Sequence, residues 1–251
     1  MKLRKQLLQI IIAMIFGNLT MQAQTVEKKP IEDKISLGFS LNHDAFFGFN
    51  PSMTGAYSLT ETDALTFYGI QWGAGTGKDW GQWTEFGLGY NKKLGNFNIN
   101  PQLGFTMGSL LSSGAAGRGI VGDGIVPNLT VNYGSDLLEG QFYYGYYASL
   151  ANKTAVGQST NNYVHYWGNL GVKVNSFFSI GAHVEQLYLS GGEKNGGGSL
   201  DRADGYIWLG PYLQFKKGAS GLRFSFGGNL EDKTTRFARN DFYKLTFFVS
   251  L

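Results

Sequence analysis

The stretch Phe242-Tyr243-Lys244-Leu245-Thr246-Phe247-Phe248-Val249-Ser250-Leu251 decides how the rest of the chain reads. Tyr243, Leu245, Phe247, Val249 and Leu251 share one parity; Lys244, Thr246 and Ser250 share the other. Successive side chains of a strand point to opposite faces, so this segment predicts a strand with one wholly apolar face. The same alternation recurs upstream. Leu222, Phe224 and Phe226 oppose Arg223, Ser225 and Gly227. Leu129, Val131 and Tyr133 oppose Asn128, Thr130 and Asn132. Phe97, Ile99, Leu103, Phe105 and Met107 oppose Asn98, Asn100, Gln102 and Thr106.

Extended over the chain, the pattern predicts about twelve strands. Their spans are 35–43, 51–60, 64–72, 81–91, 96–108, 125–134, 138–150, 162–174, 177–190, 205–216, 220–230 and 241–251. Asp44 to Asn50 reads equally as loop or strand. The connections alternate as well. One set is tight, such as Glu61-Thr62-Asp63, Ser135-Asp136-Leu137, Asn175-Ser176 and Lys217-Gly218-Ala219. The other is mostly longer and rich in Gly, Ser, Asn and charge: 73–80, 109–124, 151–161, 191–204 and 231–240. Transmembrane barrels take tight turns at the periplasmic end and longer loops outside.

Composition names the solvent. Of 251 residues, 16% are charged, 15% are aromatic and 37 are glycine. In lipid every backbone amide needs an internal partner, so only helices and closed barrels cross. After the first segment no run of ~20 apolar residues remains for a spanning helix. A barrel apolar outside and polar inside keeps mean hydropathy near neutral, here −0.15. The fold class expected is therefore all-β: a transmembrane antiparallel up-and-down barrel over residues 35–251. Trp72, Trp80, Tyr163, Tyr206 and Tyr243, near the outer strand ends, are expected to form an interfacial aromatic girdle.

Residues 1–23 read as a signal peptide. Met1-Lys2-Leu3-Arg4-Lys5 is a basic head, Leu7 to Phe16 an apolar core too short to span, and Ala23 a small exit residue. Residues 24–34 then form a polar periplasmic lead. Lys2, Arg4 and Lys5 leave with the signal and no acid does, so 21 basic and 18 acidic residues become 18 of each. A neutral mature chain gives no reason to expect nucleic acid. With no cysteine and three histidines, thiolate chemistry and a histidine-rich metal site are excluded. No organic cofactor or metal is implied.

The signal and the terminal strand resemble those of outer-membrane β-barrel proteins of Gram-negative bacteria, with a porin-like architecture over the whole chain. The stretches 100–105 and 122–129 are similar to an uncharacterised family of such barrels. The resemblance implies an outer-membrane location and recognition of the last strand by the barrel-assembly machinery. That signal usually ends in an aromatic residue; here the end is Leu251 and the last aromatic is Phe248.

Catalytic patterns are missing. Gly73-Ala74-Gly75-Thr76-Gly77-Lys78-Asp79 lacks both the earlier Gly and the later Ser/Thr of a phosphate loop. Activation of a serine needs a nearby imidazole. Asn42-His43-Asp44, Val164-His165-Tyr166-Trp167 and Ala182-His183-Val184-Glu185 show neither His-x-Ser nor Asp-x-His. A lipid-modifying enzyme is therefore the least favoured class.

The informative constellation lies in the eighth and ninth strands. Leu170 and Val172 set the lipid parity of one, which turns His165, Trp167, Asn169 and Lys173 inward. Phe178, Ile180, Ala182 and Val184 set that of the other, which turns His183 and Glu185 inward. A three-residue turn, Val174-Asn175-Ser176, places His165 opposite Glu185 and Trp167 opposite His183; a one-residue shift places Trp167 opposite Glu185. Either register gives an outer lumen cluster of His165, Trp167, His183 and Glu185. It reads as a constriction or ligand contact, or else as a polar network that fills and stiffens the barrel. Further lumen charges are Glu85, Glu139, Lys173, Arg223 and Lys244, with Glu139 and Lys173 near enough to pair. Arg118, Arg202, Arg236 and Arg239 fall in outer loops, where they meet lipopolysaccharide phosphates or water.

The leading expectation is a narrow passive channel for small hydrophilic solutes, set among outer-membrane lipids. The alternative is a non-conducting structural or surface-interaction barrel.

Overall fold

The computed structural model describes residues 34–73, 83–108, 124–150, 159–231 and 240–251. The expected signal peptide lies outside them, as does the lead segment apart from Lys34. The described residues form twelve strands: β1 (Ile35–Asp44), β2 (Gly48–Ser58), β3 (Asp63–Trp72), β4 (Trp83–Leu94), β5 (Phe97–Gly108), β6 (Gly124–Gly134), β7 (Leu138–Ser149), β8 (Thr160–Lys173), β9 (Phe178–Glu193), β10 (Ala203–Lys217), β11 (Ser220–Asn229) and β12 (Asp241–Ser250). Each pairs antiparallel with its chain neighbours, and β1 pairs with β12 from Gly38↔Ser250 to Asp44↔Lys244. The sheet thus closes into a barrel without a free edge.

The outer surface is apolar. Phe39, Leu41, Leu65, Phe86, Leu88, Phe142, Leu170, Leu209, Leu245 and Phe247 are each at least 40% exposed, and they belong to the outward parity of their strands. A continuous apolar surface of this kind is not stable in water; facing lipid it costs nothing. Strands of 10 to 16 residues exceed the ~9–11 that a tilted strand needs to cross the hydrocarbon. The barrel is a membrane-spanning one.

Three features depart from the sequence expectation. β2 starts at Gly48, so the first outer connection is only Ala45-Phe46-Phe47. Asp44 builds that turn: its Oδ1 accepts the N–H groups of Phe46 (2.9 Å) and Phe47 (2.6 Å). Gly48, at φ 70°, then reverses the chain in a region that side-chain-bearing residues avoid. Second, the β8–β9 turn is Asn175-Ser176-Phe177, closed by the Val174 N–H donating to the Phe178 carbonyl at 2.9 Å, one residue later than Val174-Asn175-Ser176. Asn175 Oδ1 accepts from the amides of Phe177 and Phe178, both at 2.8 Å. The resulting register pairs Trp167 with Glu185 and Asn169 with His183, which is the shifted alternative. A bulge between Asn162 and Tyr163 follows.

Third, the girdle is not where the strand ends put it. Trp72 (6% exposed) and Tyr206 (1%) have lumen parity and are buried inside; Tyr163 also packs inward, against the interior cluster. Tyr243 does face out at 39%, and Trp80 lies outside the described residues. Nearness to a strand end says nothing about face; parity does. Outward aromatics at the tight-turn end are Tyr57, Tyr90 and Phe97.

Glycines make the interior possible. A Cβ on Gly87 would lie 2.1 Å from Tyr68 Cε1, and one on Gly104 would lie 2.2 Å from the Tyr68 hydroxyl. Tyr68 therefore lies flat along the wall across two neighbouring strands.

Candidate functional site: a packed outer lumen above a polar vestibule

Strand parity aims two different sets of side chains into the lumen. The half near the long loops receives aromatics and buried charges. The half near the tight turns receives amides and hydroxyls.

Glu185 is the hub of the outer half and is fully buried. Its Oε1 accepts from the Tyr206 hydroxyl at 2.8 Å and lies 2.8 Å from His165 Nε2. Its Oε2 accepts from Lys244 Nζ at 2.6 Å. His183 Nε2 lies 3.2 Å from Oε2 but is not aligned to bond it; the ring is held by Nδ1, 2.7 Å from Asn169 Oδ1. Lys244 also sits 5.0 Å above the Trp167 ring, and Trp167 stacks on Tyr143 at 3.9 Å. Trp167 therefore has a partner on both faces and offers no open platform for a sugar ring.

The β1–β2 turn completes the packing. Its Phe47 ring lies 4.8 Å from Trp72 on β3 and 5.5 Å from His165 on β8. Phe46 meets Tyr206 on β10 at 4.8 Å. In a ring of twelve strands β2 and β8 stand opposite each other, so this turn crosses the lumen. Trp208 stacks on Tyr206 at 3.9 Å and on Phe242 at 4.9 Å, filling the remaining wall. The space left among Phe47, Trp72, Trp83, Tyr147 and their neighbours is about 10 Å³, room for at most one water.

A second buried carboxylate, Glu85, sits on the β4 wall. It accepts from the Tyr68 hydroxyl (2.6 Å) and from Trp72 Nε1 (3.0 Å). Asn128 Nδ2 donates to Tyr68 in turn, at 2.8 Å. Two buried carboxyl groups on separate walls are thus tied into networks that also hold the aromatics.

The structure brings His165, Trp167, His183, Glu185 and Lys244 together. It leaves the other lumen charges elsewhere. Glu139 and Lys173 do not pair. Glu139 accepts from Tyr212 (3.0 Å) and Gln214 (2.8 Å), while Lys173 donates to the Ser135 carbonyl at 2.6 Å. Glu139 stands opposite Gly171, two residues short of Lys173, and Lys173 turns to the Ser135 carbonyl instead. Arg223 Nε donates to Gln214 Oε1 at 2.9 Å. Of the four loop arginines only Arg202 is described; it lies over the Tyr188 ring and bonds Asp204 at 3.0 Å.

Sequence reasoning missed Asp44, Phe47, Trp72, Tyr206, Trp208 and Phe242. Applying parity to β10 would have aimed Tyr206 and Trp208 inward. No local signal announces that Phe47 folds across the barrel. Among the described residues no His, Asp and Glu set is arranged to hold a metal ion.

A closed, lipid-exposed, twelve-stranded cylinder with tight turns at one end defines the class: a membrane-spanning barrel with the fold of outer-membrane β-barrel proteins. Solved structures agree on that fold. The COG4313 outer membrane channel from Pseudomonas putida F1 is similar at a TM-score of 0.57 and 12% identity, over 92% of this chain and 100% of that one. The NanC porin is similar at 0.51 and 10% identity, over 86% and 100%. No curated protein matches the sequence. Over residues 2–251 the chain belongs to a family of unknown function, DUF6733.

Proposed function

We propose that this protein is a porin-like channel for passive passage of small hydrophilic solutes, held shut at rest by its own first outer turn. The carrying observation is the contact of Phe47 with His165 across the lumen. Below that contact the lumen is polar and reached by water: Asn98, Asn100, Gln102, Asn132 and Gln141 are all partly exposed. Above it the path is filled where the first outer turn, three residues long, packs onto the aromatic cluster. A short turn that leans inward can lean back without breaking the barrel's strand pairing. The Glu185 cluster is then the seat against which the turn closes, and it forms the constriction. Lipids of the outer membrane surround the wall, and the last strand is the contact for the barrel-assembly machinery.

The test is single-channel recording of the refolded protein in planar bilayers, beside a variant carrying Phe46→Gly and Phe47→Gly. The native protein is expected to open rarely and to small conductance. The variant is expected to conduct several-fold more and to stay open. The same packed lumen also favours a second reading, a non-conducting structural barrel. Silent traces from both proteins select that reading and end the first.

A further inference from the structure

The tight-turn half of the lumen carries a patch that the channel reading leaves without a purpose. Asn98, Asn100 and Gln102 on β5 stand directly beside Asn132, Thr130 and Asn128 on β6. Gln141 on β7 pairs with Asn132, and Asn169 on β8 pairs with Gln141. One continuous area of carboxamides thus spans four strands. Its members are pre-set by one another: Thr66 Oγ1 donates to Asn100 Oδ1 at 2.9 Å, and Gln141 Nε2 donates to Asn132 Oδ1 at 2.9 Å. These bonds use the amide oxygens, and among the described residues the NH₂ groups of Asn100 and Asn132 make no hydrogen bond. The strands across the lumen supply short hydroxyls, Ser40, Ser52 and Thr246, which leave room.

The patch itself is made of neutral amides and a hydroxyl, and charges of both signs border it. Glu139, two residues from Gln141, accepts from Gln214, which in turn accepts from Arg223, and Lys173 is turned onto a backbone carbonyl. Lys93 on β4 stands directly opposite Asn98 at the water-exposed rim of the patch, and Lys216 is exposed at the end of β10. An ionic solute of either sign would meet like as well as opposite charge at the border and only neutral amides within the patch, and would lose hydration. A carboxamide presents a donor and an acceptor side by side, which matches a pair of neighbouring hydroxyls.

We infer that this vestibule binds an uncharged, polyhydroxylated solute, a neutral saccharide, entering from the periplasmic side. The inference rests on the channel reading for its purpose, since a binding patch below a gate raises the solute's concentration there. Its test does not need conduction. Detergent-solubilised full-length protein is titrated by calorimetry with maltose, with a uronic-acid disaccharide and with a glucosamine disaccharide. Fluorescence gives a second readout, because Trp167 Nε1 donates to Gln141 Oε1 at 3.3 Å. Maltose is expected to bind in the millimolar range and more tightly than either charged sugar. N100A with N132A should weaken it about tenfold, as loss of two hydrogen bonds does. N132D should shift preference toward the glucosamine disaccharide. Both positions are half-exposed, and heat-dependent gel migration checks that the barrels are folded. Tighter binding of the uronic acid, no binding of maltose, or equal binding by the alanine variant each overturns the inference. A protein that binds maltose yet never conducts retires the channel reading and leaves this one standing.

Discussion

Glu185 shows what one residue does in this lumen. A carboxylate with no exposure is tolerable only when its charge is matched and its lone pairs are used. Lys244, Tyr206 and His165 meet those needs from three different strands. Removing the negative charge strands a lysine that is itself largely buried. Glu185→Gln is therefore expected to destabilise the barrel by ~3–5 kcal/mol, read as a lowered urea midpoint for unfolding from lipid vesicles. A midpoint unchanged within error would show that water already reaches Lys244. His165, Trp167, His183 and Glu185 were legible as lumen residues because strand parity is local. Their partners were not. Tyr206 and Lys244 reach Glu185 from 21 and 59 residues away, and no periodicity encodes such a meeting.

Among the elements, the β1–β2 hairpin is unlike the others. Five outer connections are long, and this one is held by a single side chain. Asp44 bonds two successive amides, and Asn50 Nδ2 approaches its other oxygen at 3.4 Å. Loss of such a cap costs about 1 kcal/mol, as at a helix N-terminus. Asp44→Ala is therefore expected to raise the open probability of the channel about five-fold, less than the double glycine variant does. An open probability unchanged from the native protein would mean that aromatic packing alone keeps the turn in place. The strand starting at Gly48 was hard to read because Phe46, Phe47 and Phe49 break the alternation: apolar residues here mark a turn buried in the lumen, not a lipid-facing strand. For β8 and β9 both registers were open because moving a three-residue turn along by one residue keeps the faces equally well. Asn175, accepting from two amides, decides for the later one.

At the scale of the whole molecule, the barrel is asymmetric along its axis. One half is dry and packed, the other wet and lined with amides. The chain contains no cysteine, so that asymmetry is open to chemical mapping. A single Asn132→Cys in the native background is expected to react with a membrane-impermeant maleimide from the periplasmic side only. In the Phe46→Gly, Phe47→Gly background it is expected to react from both sides. Equal labelling from both sides of the native protein would show that the outer half is not sealed. The twelve strands, their faces and the closed barrel were determined by the sequence alone, because in lipid an alternating segment satisfies its backbone only in a sheet without edges. Every strand boundary falls within three residues of its expected place. Whether the cylinder is hollow was a different kind of question. Twelve strands leave an interior that side chains alone neither must fill nor must leave open. Only the tertiary structure decided it, by folding a three-residue turn across the axis onto residues that lie more than a hundred positions away.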